Sequence, residues 1–148
     1  MKESIIRPAF KGVSGNGAND CTVRAVCNAI GLPYVEAHEV LKRFGRPSAR
    51  GAVFHTLVKA YTSLGFELVG SFGTSQSSQF DHYTAERVLG RDVKQYRGIT
   101  VKSFIESTPA GTFICTSNNH AFAVVDGKLI DSVGLRGGIR ITSIFKYN

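Results

Sequence analysis

The chain has 148 residues, 43% of them hydrophobic, and 18 Lys and Arg against 11 Asp and Glu give it a net charge of +7. That length fits one domain over residues 1–148 whose core buries roughly two-thirds of the unfolded chain's surface. No stretch approaches the roughly 18 apolar residues of a membrane span, and "MKESIIRPAF" lacks the apolar core and small-residue cleavage site of a secretory signal. The expectation is a cytoplasmic protein with no membrane partner.

In chain order, the first half reads helical. After "GNGAND", Asn19 and Asp20 are good helix N-caps, and apolar side chains follow at Val23, Val26, Cys27 and Ile30. That i, i+3, i+4, i+7 stripe predicts a helix ended by Gly31. Pro33 suits the opening of a second helix, with Tyr34, Ala37, His38, Leu41 and Phe44 in register. A third is expected from about Phe54, carrying Phe54, Leu57, Val58, Tyr61 and Leu64, with Gly65 as its stop. "FELVG" reads as a short strand. The run "GSFGTSQSSQFDH", residues 70–82, is rich in Gly, Ser and Gln and reads as a loop. Helical turns are expected around Thr84–Leu89 and Val101–Ser107.

The last third reads as sheet. "TFICTS", "HAFAVV", "KLIDSV" and "IRITSIF" are short, β-rich and separated by turn residues. Helices first and an antiparallel sheet afterwards predict an α+β fold.

One hairpin carries the local geometry that matters. Asp126-Gly127 is a favoured type I′ turn, so Val125 should pair with Lys128, Phe122 with Asp131 and His120 with Val133. His120, Phe122 and Val124 then share a face with Leu129, Asp131 and Val133. His120 and Asp131 become diagonal neighbours, roughly 7–8 Å apart at the backbone and within bonding reach at their tips. A carboxylate on one ring nitrogen fixes the imidazole tautomer and leaves the other nitrogen as a base.

The three cysteines fit neither a disulfide framework nor a zinc site, because CxxC and HxxxH spacings are absent. Reduced thiols, with no metal and no cofactor, are expected. Cys21 opens the first helix, where unpaired N–H groups and the macrodipole favour a thiolate. Asp20 opposes this, since an adjacent carboxylate raises a thiol pKa, and its side chain is expected to turn back onto the helix's own N–H groups as a cap. Cys27, on the apolar stripe, reads as inert core, and Cys115, in "TFICTS", as strand filler unless the fold brings it to the site.

"NDCTVRAVCNAIG", followed about a hundred residues later by "GTFICTSNNHAFAVVDGKLIDS", resembles the papain-like cysteine peptidases. Within them it is most similar to the bacteriocin-leader peptidase type and to small papain-like proteins of phage genomes. The resemblance covers the order Cys, His, Asp and the helix-then-sheet organisation. It implies a papain-like domain in which the nucleophile helix packs on a C-terminal antiparallel sheet. It also implies Cys21 as nucleophile, His120 as general base and then acid, and Asp131 as orienting carboxylate. Where the family places an oxyanion-stabilising Gln, six residues before the cysteine, this chain has Gly15. Asn16 and Asn19 are the nearby amides that stand as oxyanion candidates.

The implied activity is hydrolysis of a peptide or isopeptide bond through an acyl-thioester, on a protein or peptide substrate. A deamidase or acyltransferase would use the same triad. The alternative is a non-catalytic protein of the same fold, phage-encoded and active in a host cytoplasm, that binds a host protein or nucleic acid. The missing Gln and the positive charge favour it, since a basic surface attracts acidic partners. The basic residues are scattered, however, with Arg43, Arg46 and Arg50 in one stretch and Arg87, Arg91, Lys94, Arg97 and Lys102 in another. No aromatic-rich RNA motif accompanies them. A third reading, a nucleic-acid-binding protein in which Cys21 and His120 are unrelated, requires their separation in space.

Overall fold

The computed structural model describes residues 5–6, 21–45, 54–72, 86–87, 89–91, 95–96, 99–117, 120–130 and 138–148. Strand β1 is Ile5–Ile6, followed by helices α1 (Cys21–Ile30), α2 (Tyr34–Arg43) and α3 (Phe54–Ser63). Next come β2 (Phe66–Phe72), β3 (Gln95–Tyr96), β4 (Ile99–Thr100) and α4 (Val101–Ser107). Five strands close the chain: β5 (Thr112–Ser117), β6 (His120–Val125), β7 (Lys128–Ile130), β8 (Arg140–Ile141) and β9 (Ser143–Tyr147).

The fold is α+β. A seven-stranded sheet runs in the order β1-β7-β6-β5-β9-β2-β3. Its inner strands β7, β6, β5, β9 and β2 are antiparallel, while β1 and β3 join the edges in parallel. A separate ribbon pairs β4 with β8. No helix among the described residues is long and apolar enough to cross a membrane.

Strand alternation divides the apolar side chains between the two sheet faces. Phe66, Leu68, Ile114, Ala121 and Phe145 pack with α1, α2 and α3. Phe113, Cys115, Phe122, Val124, Leu129 and Ile144 pack with Val101, Phe104 and Ile105 of α4 and with Ile141 of β8. Helix α1 lies chiefly against β6. Its buried face is Thr22, Val23, Ala25 and Val26, turned slightly from the expected stripe, so Cys27 and Ile30 are only half-buried. The small side chains of Ala25, Ala121 and Ala123, all buried, let the helix approach the sheet closely.

The hairpin follows its expected register as far as it is described. Val125 pairs with Lys128, Val124 with Leu129 and Ala123 with Ile130. Asp126 and Gly127 both have positive φ, 49° and 75°, as a type I′ turn requires. The Asp126 carboxylate accepts from the Gly111 N–H at 3.0 Å, and the Asp126 N–H donates to the Gly111 carbonyl at 2.8 Å. That bracket ties the hairpin tip to the start of β5.

Two expectations need correction. Residues 70–72 are strand, not loop: β2 continues past a bulge between Leu68 and Gly70 because β9 supplies partners, Ile144 for Gly70 and Ser143 for Ser71. The remainder of the expected loop, residues 73–82, lies outside the described residues. "IRITSIF" is two strands, not one. At Thr142 the chain leaves the β4 ribbon and joins β5, where the Thr142 N–H donates to the Thr116 carbonyl at 2.7 Å. The Thr142 hydroxyl donates to the same carbonyl at 3.1 Å.

Candidate active site

Cys21 is the first residue of α1 and is half-buried. At that position its helix supplies N–H groups with no intrahelical acceptor. His120 is the first residue of β6 and is also half-buried. Because α1 packs along β6, the start of the helix meets the start of the strand, and the two side chains hydrogen-bond.

Four interactions bear on the sulfur besides burial. Burial alone pushes the Cys21 thiol up, since a charge loses hydration. Against it stand the His120 hydrogen bond, the Ala121 backbone N–H, the positive charge of His120 and the Thr22 backbone N–H. Together they win, and the thiol lies below its ordinary value of 9.0. The arrangement makes ionisation of the Cys21 sulfur easier than in a free thiol.

The imidazole has a neighbour of its own. The rings of His120 and Phe122 are stacked, with centroids 6.0 Å apart and planes inclined by 25°, as residues i and i+2 on one strand face allow. Across the ladder, Ser117 pairs with His120 and is buried. Beyond it, Thr116 and Ser143 bond to each other through their hydroxyls, and the Thr116 and Thr142 hydroxyls lie 2.9 Å apart. The buried Thr116 and Ser143 hydroxyls thereby satisfy one another, which is the condition for their burial.

Compared with known proteins, the chain matches no family model, no curated protein and no solved structure. The reading of the site therefore rests on its own geometry.

The other two cysteines have different surroundings. Burial pushes the Cys27 thiol up to about 11, with its own N–H and Arg24 opposing only in part. Cys115 is fully buried among the residues facing α4, and burial pushes its thiol up strongly. Both stay protonated at neutral pH, and Cys115 is not brought to Cys21. Among the described residues no group of three His, Cys, Asp or Glu is placed to hold a metal ion. Asp131, Asn16 and Asn19 lie outside the described residues, as does the cap expected of Asp20.

Sequence reasoning brought Cys21 and His120 to one place and missed the groups that hold the sulfur from behind. Ala121 and Thr22 act through backbone N–H groups, which leave no trace in residue type. The helical spacing sets Tyr61 on an apolar stripe, and its hydroxyl donates to the Thr22 carbonyl at 2.8 Å. A tyrosine on a buried helix face was the available signal, since its O–H needs a partner there. A cleft of about 450 Å³ bordered by Thr62, Phe66, Leu89, Arg91 and Asn148 includes neither Cys21 nor His120.

Proposed function

We propose that the chain is a papain-like thiol hydrolase acting on a peptide or isopeptide amide. The observation that carries the reading is the hydrogen bond between Cys21 and His120, with a thiol brought below its usual range. In this reading the thiolate of Cys21 attacks the amide carbonyl and forms a C–S bond. The His120 imidazolium gives its proton to the departing amine, and an acyl-thioester remains. A water molecule, deprotonated by the now neutral His120, adds to the thioester. Expulsion of the thiolate releases the acid and restores the pair.

Asp131 is assigned the orienting role because the register expected from the Asp126-Gly127 turn would set it diagonal to His120. The backbone N–H of Cys21, at the helix start, is assigned to the developing oxyanion together with Asn16 or Asn19. Deamidation and acyl transfer need the same first half-reaction and differ in the departing amine and in the acceptor. The net charge of +7 favours one second reading, a non-catalytic protein of this fold that holds an acidic protein or nucleic acid on its surface.

Acylation by p-nitrophenyl acetate separates the two. The hydrolase reading expects a burst of about one equivalent of nitrophenol, an acetyl group found on Cys21 by peptide mass mapping, and continued turnover that Cys21→Ala abolishes. Acetylation no faster than that of free cysteine, with no turnover, would leave the binding reading in its place.

A further inference from the structure

We propose that Tyr61 is a positioning residue for the Cys21 thiolate, acting through the backbone of Thr22; this rests on the reading of Cys21 as the nucleophile. The two residues belong to different helices and lie 39 positions apart in sequence. Tyr61 is fully buried, and its hydroxyl donates to the Thr22 carbonyl at 2.8 Å. Its ring is fixed by an edge contact with Phe145, centroids 5.0 Å apart at 88°, and by Phe66 at 5.9 Å. Packing alone would be served by phenylalanine. The hydroxyl is tolerated in such an interior because it has an acceptor.

That acceptor is well placed to matter. Thr22 donates its N–H to the Cys21 sulfur and accepts Tyr61 on its carbonyl, so one residue is held at both ends of its backbone. The first turn of a helix lacks intrahelical partners for its N–H groups and frays most readily. Tyr61 anchors that turn from the core side. The anchor keeps the Thr22 N–H aimed at the sulfur, and Cys21 in turn remains opposite His120.

The test is the pH profile of Cys21 alkylation by iodoacetamide in Tyr61→Phe, with Phe104→Leu as a control. Phe104 packs on the opposite face of the sheet, against Phe113 at 5.2 Å, outside the cluster that holds Tyr61 and Cys21, and its replacement lowers stability without touching the Tyr61–Thr22 bond. With the hydroxyl gone, loss of one buried hydrogen bond's worth of order predicts a rate about three- to tenfold lower at pH 6. The thiol midpoint should rise by about half to one pH unit, while the profile of Phe104→Leu stays with wild type. A Tyr61→Phe profile superimposable on wild type overturns the proposal, even with a lower melting temperature. So does an equal displacement in Phe104→Leu, because the midpoint would then follow stability alone. A wild-type thiol of ordinary reactivity removes the parent reading, and the positioning role with it.

Discussion

Replacing His120 with alanine should lower the alkylation rate of Cys21 at pH 6 several-fold or more. The size follows from what remains around the sulfur. Burial still disfavours its charge, while the hydrogen bond and the positive charge of His120 are both lost; only the N–H groups of Ala121 and Thr22 continue to lower the thiol. The thiol then moves from below its ordinary value of 9.0 to that value or above. Below its pKa the thiolate fraction falls tenfold for each pH unit, so any upward displacement of the midpoint appears directly as a slower reaction at acid pH. The loss should be greatest at acid pH and vanish above the displaced midpoint, where both proteins are fully ionised. A uniform loss across the pH range would assign His120 a steric role instead. His120 is half-buried and opens its strand, so the variant should remain folded and the comparison stay interpretable.

Phe145→Ala should produce the largest loss of stability among the single substitutions considered, about 3–5 kcal/mol. Phe145 is fully buried on β9, which lies between β5 and β2 in the sheet. Its ring meets the edge of Tyr61 within the cluster that joins α1, α2 and α3 to the sheet. Truncation removes the transfer free energy of the ring and leaves a cavity that strands hydrogen-bonded on both sides cannot collapse to fill. Against a total of about 5–15 kcal/mol for a folded protein, such a loss is a large fraction. Urea unfolding should show a lower midpoint at an unchanged slope. A shift worth less than about 1 kcal/mol would mean that the helices are not packed on this face as described.

Local patterns made most of the architecture legible. The cap-and-stripe pattern placed α1, and β5 and β6 fall on "TFICTS" and "HAFAVV" to the residue. The Asp126-Gly127 turn fixed the hairpin register from two residues, because only one turn type matches that chemistry and strand twist. The elements that escaped detection depend on distant partners. Strands β1 and β3 are two residues each and pair in parallel with β7 and β2, so no adjoining turn announces them. Alternation runs without interruption through "IRITSIF", and the break at Thr142 follows from its bonds to Thr116. In the site, side-chain type identified Cys21 and His120. The backbone donors and the Tyr61–Thr22 bond depend on the packing of α1 on β6 and on the approach of one α3 side chain to the start of α1.

The most direct test of a thiolate–imidazolium pair at Cys21 is the ultraviolet absorbance of the thiolate, titrated in wild type and subtracted from the same titration of Cys21→Ala. Protonated Cys27 and Cys115 cancel in the difference, leaving one ionisation. Because the folded thiol lies below the unfolded one, its charge adds stability above the unfolded value, and that contribution is lost as pH falls through the folded midpoint. The pair predicts a midpoint below 9.0 that His120→Ala raises. A midpoint at or above 9.0 in the wild-type protein, unmoved by the loss of His120, would contradict it.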